Sequence, residues 1–241
     1  MEGTNEFGQP VGRAVAWGGA QPLAPLMVQG RTVALAPLDP VQHLAGLWEA
    51  FRSDPAAWTY LPYEPPASLE ELAWILDQVV GSGVFAPHVI TDTEGTPLGM
   101  ASYLRTQPDV GSAEIGFITY GAALRRSTAA TEAMTLLAAH VFASGYRRYE
   151  WKCDALNAAS RTAALRLGFR FEGVWRNALV TKGRNRDTAW YAMTDDDWTR
   201  LAPVHEAWLM SAAAGEPAFR LSEATAALWN VQARGTSEES P

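Results

Sequence analysis

The run Leu124-Arg125-Arg126-Ser127-Thr128-Ala129-Ala130-Thr131-Glu132-Ala133-Met134 sets a basic pair and small side chains at the start of an apolar-periodic stretch. A helix that begins this way is an anion cradle. Small residues let a polyphosphate reach the backbone, the first N–H groups have no intrahelical partner, and the helix dipole adds partial positive charge. Arg125 and Arg126 are placed to pair with phosphate oxygens. A second chemically capable residue is Glu114, the one carboxylate in the apolar run Ala113-Glu114-Ile115-Gly116-Phe117-Ile118-Thr119. A carboxylate taken out of water becomes a better proton acceptor, which suits a general base acting through a water. The alternative is an ion pair with an arginine such as Arg105 on a neighbouring strand. Strict alternation puts Glu114, Gly116 and Ile118 on one face and Ala113, Ile115, Phe117 and Thr119 on the other.

Competing chemistries fail on spacing. His43, His88, His140 and His205 form no ligand pair, so no metal site is expected. Cys153, the sole cysteine, falls in a β-prone run and reads as a small core filler; one cysteine also excludes an internal disulfide. Asp195-Asp196-Asp197 after Thr194 reads as a helix start. With a net charge of −7, general nucleic-acid binding is not expected. No apolar run approaches the roughly 20 residues of a membrane helix, and Gly18, Gly19, Pro22 and Pro25 break any export signal. A cytoplasmic setting is the simplest expectation.

The elements that must position these groups alternate in type. The chain of 241 residues, 48% hydrophobic, is long enough for one large domain with extensions. Residues 1–27, rich in Gly and Pro, read as an extended arm. Thr32 to Leu38 is a strand, and Asp39-Pro40 opens a helix to Phe51. Ser68 and Glu71 have capping-box spacing at the head of a second helix carrying Leu72, Ile75, Leu76 and Val79. Strands follow at Phe85 to Thr91, Leu98 to Arg105 and Ala113 to Thr119, then a helix from Thr128 to Ala143 ended by Gly145. Strand Tyr149 to Asp154, helix Ala158 to Leu167, strand Phe169 to Val180, a turn over Gly183 to Asp187 and strand Thr188 to Met193 complete an α+β plan around one mixed sheet. Residues 201–241 read as a helical extension, with Leu221, Leu228 and Trp229 on a docking helix and a polar end from Gly235 to Pro241.

That order, the loop at Arg125 to Ala130, and the segment from Asp154-Ala155-Leu156-Asn157-Ala158-Ala159-Ser160-Arg161 through Leu167-Gly168-Phe169-Arg170-Phe171-Glu172-Gly173 resemble the GCN-five-related N-acetyltransferases (GNAT), most of all the RimJ/RimL type. The resemblance covers roughly residues 28–200. Thr128 stands where the family's loop has its first glycine. What the resemblance implies is a three-layer α/β/α architecture around a central, mostly antiparallel sheet. It implies acetyl-CoA as acyl donor, with Arg125, Arg126, Ser127, Thr128, Ala129 and Ala130 at the pyrophosphate. Backbone groups of Phe117, Ile118 and Thr119 would take the pantetheine arm and thioester oxygen, and Asn157 and Arg161 would contact the cofactor. Glu114 would be the base and Ser160 would hydrogen-bond the departing sulfur, although helix capping alone explains Asn157 or Ser160.

Trp58, Tyr60 and Tyr63 are candidate walls of a substrate groove. Neutralising an α-amine of pKa about 8 at pH 7 costs roughly 1.4 kcal/mol, against roughly 4.6 kcal/mol for a lysine. A protein or peptide N-terminus, or a small amine, is therefore the expected acceptor, and Glu64, Glu70, Glu71 and Asp77 would favour a cationic one. The rival reading is a non-catalytic acyl-CoA sensor of the same fold. The arm and apolar tail could cover a homodimer surface as easily as complete the monomer.

Overall fold

The structure is a computed structural model and describes residues 3–235. Two short strands, β1 (Gly3–Thr4) and β2 (Pro10–Val11), form a small hairpin within the arm. The body then runs β3 (Val28–Gln29), β4 (Ala34–Pro37), α1 (Pro40–Phe51), α2 (Leu69–Gly81), β5 (Phe85–Thr91), β6 (Pro97–Gln107), β7 (Ser112–Tyr120), α3 (Thr128–Ala143), β8 (Arg148–Asp154), α4 (Ala158–Arg166), β9 (Arg170–Thr181), β10 (Arg184–Thr194), α5 (Asp195–Ala213) and α6 (Leu221–Gly235). A single 3₁₀ turn, Pro55–Trp58, lies between α1 and α2.

Local sequence accounts for most of these boundaries. The Asp39 carboxylate accepts from Val41 and Gln42 N–H at 2.8 and 2.9 Å, and Pro40 follows it at the first helical position. At α2, Ser68 accepts from Glu71 N–H at 3.2 Å, but Glu71 reaches back to Ala67 N–H instead of closing a reciprocal box. Thr194 and Asp197 do close one at the head of α5. The expected turn over Gly183 to Asp187 is tighter than its composition indicated. Lys182 and Gly183 both have positive φ, 49° and 70°, which suits a two-residue hairpin, so Arg184 already pairs with Thr181.

Eight strands form one sheet in the order β3-β4-β5-β6-β7-β8-β10-β9. All neighbours are antiparallel except β7 and β8, which run parallel. One face carries α1 and α2 over a core of Leu47, Phe51, Leu72, Leu76, Val89, Met100 and Phe117. The other carries α3 to α6 over Leu35, Ile90, Ile115, Leu137, Trp151, Phe169, Trp208 and Leu221. The result is the three-layer α/β/α arrangement.

The extensions pack on the second core. Ala20, Leu23 and Leu26 of the arm lie against it, and Trp17 donates to the Gly145 carbonyl at 2.9 Å. Leu221 and Thr225 of α6 are buried, and Arg200 donates to the Leu228 carbonyl. α5 crosses residue 200 without a break, so body and extension share a helix. Residues 236–241 of the expected polar end lie outside the described residues. Among the described residues, no helix is long and apolar enough to cross a membrane.

Candidate active site

The pairing of β7 with β8 runs from Ser112↔Arg148 to Ile115↔Trp151 and then stops. Beyond that pair the two parallel strands part, and a fork opens between Gly116–Tyr120 and Lys152–Asp154. A bulge drives the departure. Ser102 pairs with Gly116 and Met100 with Thr119, so Ala101 alone faces Phe117 and Ile118. Phe117 adopts a positive φ of 47°. Its ring therefore leaves the face of Ile115 and packs with the α1–α2 core, 5.5 Å from Phe85 and 6.0 Å from Tyr63. This corrects the strict alternation expected from sequence, which put Phe117 with Ile115 and Ile118 with Glu114. The backbone of Phe117, Ile118 and Thr119 is left along the open side of the fork.

The N-termini of α3 and α4 follow the diverging strand ends. Ser127 caps α3, accepting from Ala130 N–H at 3.0 Å while donating to the Leu124 carbonyl at 2.6 Å. The N–H groups of Thr128 and Ala129, in the first turn of α3, have no intrahelical partner. Arg126 is exposed and, among the described residues, has no hydrogen bond or ion pair. Arg125 is differently employed: it donates to the Tyr120 carbonyl and pairs with Asp54, whose carboxyl it holds below the ordinary value. Arg125 thus braces the loop from β7 to α3. Asn157 caps α4, accepting from Ser160 N–H at 3.1 Å. The Ser160 hydroxyl accepts from Trp151 Nε1 at 2.9 Å, which leaves its own proton to donate. Arg161 donates to the Tyr191 hydroxyl and the Ala155 carbonyl, both at 3.1 Å. Burial holds the Cys153 thiol above its ordinary value, as befits a core filler.

Glu114 lies at the root of the fork with its side chain 4% exposed. Arg105 binds both of its oxygens, at 2.7 and 2.8 Å, so the ion-pair alternative is realised. Lys152 is a second cationic partner, 2.8 Å from Glu114 and 2.7 Å from Glu150, with its ammonium 3.7 Å from the centre of the Trp190 ring. The carboxylate overhangs Gly116, where an added Cβ would lie 3.6 Å from Glu114 Oε1 and 2.9 Å from Leu104.

Of the proposed groove residues, Trp58 is a core residue instead. It is 1% exposed and packs edge-on to Phe51, because the 3₁₀ turn presses it beneath the segment that leads to α2. Tyr60 and Tyr63 are half-buried. The Tyr60 hydroxyl donates to the Leu156 carbonyl at 3.2 Å, and Tyr63 stands between Phe117 and Trp74. From the β9–β10 hairpin, Lys182 donates to the Trp58 carbonyl at 2.8 Å and pairs with Glu64 at 3.4 Å. Residues 58–64 are therefore clasped across the front of the fork. Sequence reasoning missed Lys152 and Lys182, although one signal was present. They are the only two lysines in the chain, and both lie here.

A family model described as the acetyltransferase (GNAT) domain matches residues 33–170, more than half of the chain. The chain belongs to the GNAT acetyltransferase family. This GNAT acetyltransferase is 36% identical to a GCN5-related N-acetyltransferase from Brucella melitensis, with a TM-score of 0.82 over 87% of this chain and 98% of that one. It is 38% identical to a probable GNAT-family acetyltransferase from Chromobacterium violaceum, with a TM-score of 0.73 over 78% and 95% of the two chains. A RimL ribosomal L7/L12 alpha-N-protein acetyltransferase solved in complex with coenzyme A shares the fold at 23% identity, with a TM-score of 0.59 over 70% and 97%. No curated protein sequence matches this acetyltransferase significantly.

Proposed function

We propose that the protein transfers the acetyl group of acetyl-CoA to a primary amine, on a peptide or protein N-terminus or a small molecule, by direct attack in a ternary complex. The observation that carries this reading is the fork: parallel strands that part after Ile115↔Trp151, with an N-terminal helix end carrying unpaired N–H groups beyond them. Bound acetyl-CoA would supply an activated acyl group and a thiolate leaving group. Thr128 and Ala129 N–H with Arg126 fit its pyrophosphate, and the open backbone edge of Phe117, Ile118 and Thr119 fits the pantetheine and the thioester oxygen. Asn157 and Arg161 border the same cleft at the head of α4.

As the amine nitrogen attacks it gains positive charge, and an ionised carboxylate beside it lowers that barrier. Glu114 is positioned for this and takes up the proton through a water. The attacked nitrogen is a far stronger acid than a free ammonium, so a carboxylate that is itself ion-paired suffices. Ser160 donates its hydroxyl proton as a hydrogen bond to the departing sulfur.

The test pairs binding with turnover. Acetyl-CoA should raise the melting temperature of both wild type and Glu114→Gln, while Glu114→Gln releases CoA from amine and acetyl-CoA at least about tenfold more slowly. No thermal shift with acetyl-CoA would remove the reading. A shift without CoA release across a broad panel of amines and peptides would leave an acyl-CoA-binding module.

A further inference from the structure

Glu114 and Glu150 are direct cross-strand neighbours on the parallel pair β7 and β8. Like charges so placed repel, and both are largely buried. The group between them is Lys152, whose side chain is 8% exposed. It is the first β8 residue beyond the last ladder pair, so its stem runs back along the strand to bring one ammonium onto both carboxylates. The remaining charges around it come from β6, from β8 itself and from β9. Arg105 of β6 holds Glu114, Arg148 of β8 donates to Glu150 at 2.7 Å, and Glu172 of β9 takes Arg148 in a bidentate pair at 2.6 and 2.8 Å. Trp190 of β10 supplies the ring face beneath the ammonium. Charges alternate along this row from Arg105 to Glu172, and Lys152 is its one member that touches two carboxylates and an indole.

We propose that Lys152 is a positioning residue: its ammonium bridges the facing carboxylates of Glu114 and Glu150 and so fixes Glu114 at the root of the fork. This deepens the acetyltransfer reading and rests on it, since Glu114 is the carboxylate that faces the incoming amine. Burial pushes the Glu150 carboxyl up, but hydrogen bonds from Arg148 and Lys152 bring it below its ordinary value. Removing Lys152 leaves the burial in place and takes away one of the two cations that hold Glu150, so Glu150 binds a proton at higher pH.

The experiment compares wild type, Lys152→Met, Lys152→Arg and the double variant Glu150→Gln with Lys152→Met. In Lys152→Met, kcat falls about tenfold or more with KM for acetyl-CoA unchanged, and the acidic limb of the pH–rate profile moves up by about one pH unit. Lys152→Arg restores most of the loss, because a guanidinium can bridge two carboxylates. The double variant has no facing carboxylate, so its acidic limb returns to the wild-type position, while kcat stays low without the ammonium that fixes Glu114. It carries the test alone if Lys152→Met does not fold. Carboxyl-carbon NMR titration of the full chain reads the same proton uptake without any turnover, so a failure to transfer acetyl and a failure of this inference are distinguishable. An unchanged carboxylate titration in Lys152→Met, or an acidic limb in the double variant as displaced as in Lys152→Met, would overturn it.

Discussion

Glu114 shows how one side chain draws its role from two neighbours. Its partnership with Arg105 was legible as a possibility, because Arg105 lies nine positions away on the adjacent antiparallel strand. Its partnership with Lys152 was not, since it exists only because β7 and β8 pair in parallel with Glu114 opposite Glu150. Gly116 is the residue most sensitive to crowding here. Gly116→Ala would press its Cβ to 2.9 Å from Leu104 and ordinary contact with Glu114, so acetyl transfer should fall while acetyl-CoA still stabilises the protein. Steady-state kinetics beside a thermal melt checks both, and unchanged kcat would show that Glu114 has room to spare. Glu132 of α3 is buried and accepts from Arg31 N–H, Thr32 N–H and the Thr32 hydroxyl, pinning the β3–β4 turn to α3. Nothing at 132 points to a turn a hundred residues away.

At the scale of elements, α3 is both a packing helix and the proposed anion site, and the two roles separate by substitution. Ala129→Glu places a carboxylate in the first turn, where the helix dipole favours it and offsets the lost packing of the half-buried Ala129, so the fold should be kept. The same carboxylate repels a pyrophosphate. The expected result is an unchanged melting temperature without ligand and loss of the shift with acetyl-CoA; retention of that shift would place the phosphates elsewhere. Several helices were legible because their starts carry local chemistry: Asp39-Pro40, Ser68 and Thr194 stand at helix starts as read, although Glu71 does not close the box with Ser68, and Ser127, read only as a phosphate contact, is the cap of α3. The bulge at Phe117 was not, because it is a property of register between β6 and β7 and not of either strand's composition. The fork therefore came from the topology; Glu114 and the segment Phe117 to Thr119 beside it were named from sequence, whereas Lys152 was not.

Across the whole molecule, the central strands of the sheet are covered on both faces, and the price of that enclosure is visible in its histidines. Burial, helped by the charge of His140, holds His88 down at about 4, and burial holds His205 at about 4 against an ordinary value of 6.5. His205 is kept neutral between the Thr135 hydroxyl and the Leu167 carbonyl. The unfolded chain thus binds protons before the folded one, so stability is full above the ordinary value and declines as pH falls toward 4. Each histidine should account for about 2 kcal/mol lost between pH 7 and pH 5. Urea denaturation at the two pH values checks this, and His205→Gln should lessen the loss; equal stability at both would contradict it. The order of elements was readable from periodicity and caps and the three layers were implied by the resemblance, whereas the arm's docking through Trp17 and the seating of α6 depend on contacts between distant segments. The claim that joins these scales is acetyl transfer at the fork. Its most direct measurement is free thiol released from acetyl-CoA by the full chain, with primary amines and N-terminal peptides as acceptors and mass spectrometry of the products. The account predicts thiol release only when an amine is present and a product heavier by one acetyl group on that amine. Binding of acetyl-CoA with no amine acetylated would contradict it.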